Sequence, residues 1–183
     1  MAILITTSRR PARRIRTLCR DLARSIPNAF RINRGKLNLD GIAEKALESN
    51  ANRVIIFSRW KGGSGKIELF QTGSEEGLTQ APPLLYVAGI RLQKEFEVKP
   101  RPVRSLAVTT QPEAPQQIMK IAESLSNFLK IPMPTMMRAA PKFQASMHVS
   151  SDASHLTQIT FMLFPEAVEV GPRITVSLVA WEI

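Results

Sequence analysis

The chain has 183 residues, 44% hydrophobic and 22% charged, and carries a formal net charge of +10 from 25 lysines and arginines against 15 acids. This length and apolar content suit one substantial domain, or two small halves sharing a core, and exclude a disordered polyelectrolyte. A lone cysteine, Cys19, excludes a disulfide framework and a multi-cysteine metal site; with no apolar run of about 18 residues and no secretory leader, the expected setting is the cytoplasm, with no membrane partner.

Ala2 to Thr7 reads as a short strand. Ile15, Leu18, Cys19, Leu22, Ala23 and Ile26 then recur with the helical period, so an amphipathic helix is expected over 13–26, with Pro11 near its start where no amide partner is needed. A strand over 28–32 and a polar turn over 33–38 lead to a second helix from Leu39 to Ser49. Asn38 is its expected cap, and Ile42, Ala43, Ala46 and Leu47 form its buried side. Arg53–Trp60 and Lys66–Thr72 make a hairpin about KGGSG (61–65). Residues 73–83 read as a loop with Glu75 and Glu76 as solvated surface, and Leu84–Leu92 as another strand.

The prolines of VKPRPVR mark residues 98–103 as a connector between a basic half, 1–97, and a second half, 104–183. LAVTT (106–110) is the next strand, and a helix follows through Ile118, Ile121, Ala122, Leu125, Phe128 and Leu129. Three strands are expected over 143–149, 156–164 and 174–181, the middle one buried on both faces. Met133, Met136 and Met137, in the proline-broken stretch between helix and strands, either fill core gaps or form an adaptable contact surface, and gap-filling is the commoner use.

The two halves echo each other. ILITT (3–7) and LAVTT (106–110) share a Thr-Thr ending, and the helices after them close on Ile26-Pro27 and Ile131-Pro132; Ile5 to Pro27 is 22 positions and Val108 to Pro132 is 24. The expected fold class is therefore α/β (α+β, mixed sheet), built as two related halves, each a small sheet with helices. Where the first copy reads TTSRRPARR, the second reads TTQPEAPQQ.

Charge is just as uneven. Residues 1–36 hold nine arginines and Lys36 against Asp21 alone, a net +9, which leaves 15 bases and 14 acids for the rest of the chain. At about 100° per residue, Arg13, Arg16, Arg20 and Arg24 fall within roughly 80° of one another, opposite the apolar stripe. Arg9 and Arg10 lie on the strand-to-helix turn and Arg13 and Arg14 in the first helical turn, where the dipole favours anions. Arg31, Arg34 and Lys36 extend the patch if the turn after the second strand lies beside the first helix. Free amides, dipole and guanidinium groups together describe a site for phosphate, which arginine grips bidentately. The competing reading is a solvated cationic face with counterions.

Other signals are discounted. GGSGK (62–66) lacks the first glycine and the Ser or Thr of a phosphate-binding loop, since Trp60 and Ile67 stand there, and it leads into a strand. His148 and His155 have no cysteine near them, so no metal or cofactor is expected. Cys19 belongs to the apolar stripe. Arg59, Trp60, Lys61 and Lys66 flank a hairpin where Trp60 either offers a stacking platform or packs on the sheet, and Arg173 either reaches the same ligand as the patch or, as favoured, pairs with an acid.

The residues also resemble a known family. ITTSRRPARRIRTLCRDLARSIPNAFRINRGKLNL, then RVIIFSRWKGGSGKI and EVGPRITVSL (169–178), are similar to the Brix domain of ribosome-biogenesis proteins over essentially the whole chain. Thr6, Ser8, Arg9, Arg10 and Pro11 with the arginine-rich helix, the RINRGK turn (31–36) and Glu169 to Arg173 carry the resemblance. It implies one Brix domain over 1–183, similar in fold to the anticodon-binding domain of class IIa aminoacyl-tRNA synthetases. As a bare domain, the chain looks like an archaeal member, nearest the branch tied to the small-subunit processome. Implied partners are ribosomal RNA or associated guide RNA and pre-ribosomal proteins, and the implied role is non-catalytic help in rRNA processing and subunit assembly. An RNA-processing or nucleotide-dependent enzyme would need a constellation of acids, histidines or metal ligands that the sequence does not show. The alternative is an adaptor whose basic face meets acidic proteins.

Overall fold

A computed structural model describes residues 1–73, 77–134 and 142–183. Glu75, Glu76, Met136 and Met137 lie outside the described residues. In chain order the elements are β1 (Ala2–Thr7), α1 (Arg13–Ser25), β2 (Ala29–Arg31), α2 (Leu39–Glu48), β3 (Ala51–Ser58), β4 (Gly65–Thr72) and β5 (Leu78–Arg91). A 3-10 turn (Gln93–Glu95) precedes β6 (Leu106–Thr110), α3 (Gln116–Leu129), β7 (Ala145–Ser151), β8 (Thr157–Leu163), β9 (Val168–Glu169) and β10 (Arg173–Ala180).

The strands form one mixed sheet in the order β2-β1-β3-β4-β5-β10-β8-β7-β6, with β9 paired to β8. The two halves thus share a continuous sheet instead of each owning a small one. Their relation survives in the topology. In the unit β1-β3-β4-β5 the first pair is parallel and the next two are antiparallel, and β6-β7-β8-β10 repeats that pattern. The units join through antiparallel β5 and β10, which buries an edge of each.

Pleating divides the core between the faces. Ile3, Ile5, Ile55 and Phe57 point to the side where α1 and α3 both pack, continuous with Val108, Met147, Phe161 and Ile174 of the second unit. Leu4, Val54, Ile56 and Phe70 point to the other side, against Ile42 and Ala46 of α2. The first strand can therefore be apolar at successive positions, Ile3, Leu4 and Ile5, because a helix covers each face.

Three expectations need correction. Strand β5 starts at Leu78, not after the Pro82-Pro83 pair: Ile67 and Leu69 of β4 face Leu85 and Ala81, so the prolines occupy a bulge that asks no ladder amide of them. Leu47 is 56% exposed, because it lies about 100° around α2 from Ala46, beyond the arc that meets the sheet. Strand β8 buries Ile159, Phe161 and Leu163 on one face but only Thr160 fully on the other, where Gln158 and Met162 are half-buried. The two-residue β9 had no signal in the sequence. Asn38 does cap α2, its side chain accepting the Gly41 amide at 2.8 Å.

Candidate nucleic-acid interface

Strand β1 and helix α1 set the geometry. Burial of Ile15, Leu18, Cys19 and Leu22 against the sheet fixes the helix's rotation, which leaves Arg13, Arg16, Arg20 and Arg24 exposed on its outer side. Over those 11 residues the row extends about 16 Å at 1.5 Å per residue. The helix starts at Ala12, which offers no side-chain cap, and its first turn holds no acid. Arg9 and Arg10 are exposed on the turn before it. Among the described residues Arg9, Arg10, Arg13, Arg16, Arg20, Arg24 and Lys36 make no ion pair and no side-chain hydrogen bond.

Three predicted members of the patch are held by the protein. Arg14 turns toward the end of β5 and the 3-10 turn after it, donating to the Ile90 carbonyl at 2.8 Å and to Glu95 at 2.9 Å. Glu95 also accepts the Leu92 amide at 2.7 Å, and that amide first, with Arg14 after it, holds its carboxyl below the ordinary carboxylate range. Arg34 donates to the carbonyls of Leu37 at 2.7 Å and Thr7 at 3.4 Å, and partial burial, with Arg9 nearby, lowers its pKa. Arg31 donates to Asn33.

Asp21, the one acid in this region, does not neutralise the row. It is buried on the flank of α1, where it accepts the Gln93 amide at 3.0 Å, and desolvation raises its pKa against the pull of that amide and of Arg20 and Arg24. The Gln93 side chain in turn donates to Ser25 at 2.9 Å and to the Gly171 carbonyl at 3.2 Å. This explains part of the EVGPR motif: Gly171 sits at φ +66° with its Cα against the Phe96 ring, where a side chain has no room. Arg173 pairs with Glu169, its Nε at 2.6 Å, and Thr160 donates to the same carboxylate at 2.5 Å, so the favoured structural role holds. No local pattern marks the Asp21–Gln93 bond, since 72 positions separate the two residues.

The other flagged residues are also placed. Trp60 is half-buried, its ring 4.9 Å from that of Tyr86 and pressed against Gly62 and Gly63, whose missing side chains make the space. Lys66 pairs with Glu68 at 2.8 Å, while Arg59 and Lys61 are exposed. Cys19 is buried, its thiol 3.8 Å from the Thr6 carbonyl and its pKa pushed up to about 12 by desolvation. Met133 packs partly buried against the core. His148 lies 3.0 Å from Thr109, and burial lowers its pKa; among the described residues no group of three or more His, Cys, Asp or Glu is placed to hold a metal.

One feature of the site came only with the topology. From the carboxyl end of β1 the chain turns to one face of the sheet and forms α1; from that of the adjacent β2 it turns to the other face and forms α2. On the α2 side of the sheet a cavity of about 810 Å³ is bounded by Ser8 and Arg9 of the β1–α1 loop, Arg34 of the β2–α2 loop and the start of α2, with Ile56 of β3 and Glu68 and Phe70 of β4 as floor. Arg9 stands at its rim, so the cationic row passes from the outer side of α1 over the strand ends to this opening.

No protein-family model matches the chain. Among curated proteins, a probable Brix domain-containing ribosomal biogenesis protein of Methanopyrus kandleri is 36% identical over 132 residues, 69% of this chain and 66% of the relative. One of the same description from Pyrococcus furiosus is 36% identical over 112 residues, covering 59% of this chain and 49% of the relative. The matched stretches thus span between half and two thirds of these relatives' own length. Two crystal structures share the fold: a probable ribosomal biogenesis protein from Aeropyrum pernix K1, with a TM-score of 0.78 at 23% identity over 96% of this chain and 95% of that one, and an archaeal Imp4-like protein, with 0.66 at 20% identity over 98% and 99%. No helix among the described residues is long and apolar enough to cross a membrane.

Proposed function

Since the chain belongs to the Brix domain family of ribosomal biogenesis proteins, we propose that it acts as a non-catalytic assembly factor whose basic face binds ribosomal RNA or an RNA paired with it. Work on pre-rRNA processing and contacts with pre-ribosomal proteins follow from the same reading. The observation that carries it is the set of six arginines, Arg9, Arg10, Arg13, Arg16, Arg20 and Arg24, exposed together with no acid paired to any of them among the described residues. Like charges gathered at a helix start repel each other and the dipole. A polyphosphate strand relieves both, and condensed counterions leave the RNA as it binds. Guanidinium planes can also stack on unpaired bases.

Filter binding of labelled ribosomal RNA fragments, with an acidic protein as competitor, separates this role from that of an adaptor for acidic proteins. RNA retained through excess competitor supports the proposal. Displacement of the RNA by an equimolar acidic protein contradicts it.

A further inference from the structure

We infer that the crevice between the β1–α1 and β2–α2 loops receives one unpaired nucleotide of the bound RNA, its base inside and its phosphate at the rim; the inference rests on the RNA-binding reading above. Size is the first argument. A cavity of about 810 Å³ lies in the range of small-molecule sites, roughly 300 to 1,000 Å³. It admits a nucleotide but not a duplex.

The lining supplies the second argument, because its chemistry is divided. Apolar surface lies within: Ile56 and Phe70 on the floor, and on the wall Leu39, left 47% exposed at the first position of α2. Cations are at the mouth. Arg9 has no partner among the described residues, and Arg34 is already oriented by the carbonyls of Leu37 and Thr7. Carboxylates line it too, Glu68 largely buried on the floor and Asp40 exposed on the wall beside Leu39. Glu68 is held by Ser58 and Lys66, whereas Asp40 has one oxygen, Oδ1, with no partner among the described residues. These carboxylates disfavour a phosphate on their side of the crevice, yet they accept hydrogen bonds from a base edge. A nucleotide entering from the arginine row can set its phosphate on Arg9 and Arg34, its base against Leu39 and Phe70, and its exocyclic amino group toward Asp40 on the α2 wall. The site should favour bases with such a group over uracil.

The test uses three RNA hairpins with one stem sequence: fully paired, carrying a single-adenosine bulge, and carrying an abasic residue in the bulge. Gln80 is exposed on β5 at the crevice and makes no side-chain hydrogen bond among the described residues, so Gln80→Trp fills the opening without touching the arginine row. Base stacking in a protein pocket supports about a tenfold preference of the wild-type chain for the adenosine bulge over the other two. Gln80→Trp should abolish that preference and leave paired-hairpin affinity unchanged, while an Arg16→Gln/Arg20→Gln control weakens all three alike. Equal binding of the three hairpins by the wild type, or an undiminished preference in Gln80→Trp, overturns the crevice while RNA binding stands. Failure to bind any hairpin at low salt overturns the RNA reading and the crevice with it.

Discussion

The β1–α1 and β6–α3 units have the same architecture and opposite electrostatics. In each, a parallel-paired strand leads to a helix that packs on the same face of the sheet, and the chain leaving the helix bonds back to the strand: Ile3 donates to Asn28 at 3.0 Å, Val108 to Pro132 at 2.9 Å. Neither helix has a side-chain N-cap, and neither first turn contains an acid. Yet arginines crowd the first start, while Gln111, Pro112, Glu113 and Gln116 stand at the second. The second unit shows that the fold can be built without this charge. Arg9, Arg10, Arg13, Arg16, Arg20 and Arg24, which make no ion pair or side-chain hydrogen bond among the described residues, are therefore expected to be dispensable for folding, and the proposed RNA ligand accounts for their concentration.

The largest expected effect comes from making the first unit resemble the second. Replacing Arg9, Arg10, Arg13, Arg16, Arg20 and Arg24 together with glutamine should lower RNA affinity by more than about a hundredfold at low salt, read by filter binding. Thermal melting should not fall, since no protein contact is lost. Next comes α2, which among the described residues only the first unit possesses. Ile42→Ala should cost about 2–5 kcal/mol in denaturant unfolding by opening a cavity against Leu4 and Val54, while Leu47→Lys should stay within about 0.5 kcal/mol.

A smaller effect is expected at Asp21. Asp21→Ala leaves the Gln93 amide buried without its acceptor and should cost about 1–3 kcal/mol, whereas Asp21→Asn keeps an acceptor and should be neutral or stabilising at pH 7. The sign follows from the raised pKa. The folded state holds this proton more tightly than the unfolded chain, so the cost of the buried carboxylate is absent below its ordinary value of 3.8, grows as pH rises toward the raised folded value, and is complete above it. The stability gap between Asp21→Asn and wild type should close as pH falls through that window. The smallest effect belongs to Trp60→Ala, which removes a ring packed on Tyr86 and should change RNA affinity less than about twofold.

Local features of the fold were legible in the sequence. The period of Ile15, Leu18, Cys19 and Leu22 marked α1 and its exposed arginines, Asn38 marked the start of α2, and KGGSG the hairpin, because each depends on neighbours within a few positions. What escaped depends on distant partners. The bulge that admits Pro82 and Pro83 exists only opposite β4, and the bonds that hold Arg14 and Asp21 come from residues 90–95. Asp21 is therefore buried where its neighbours suggest surface, and Arg14, though exposed, is tied to the protein. The crevice escaped for the same reason, since its lining is drawn from the β1–α1 loop, the β2–α2 loop and strands β3, β4 and β5.

The most direct measurement of the central claim is the salt dependence of RNA binding for wild type and Arg9→Gln/Arg10→Gln/Arg13→Gln, with melting temperatures taken in parallel. At about −0.7 per phosphate contact for single-stranded RNA, three lost contacts should make the log–log slope shallower by about 2, with the melting temperature unchanged. An unaltered slope and affinity in the triple variant would contradict the assignment of this arginine cluster to RNA.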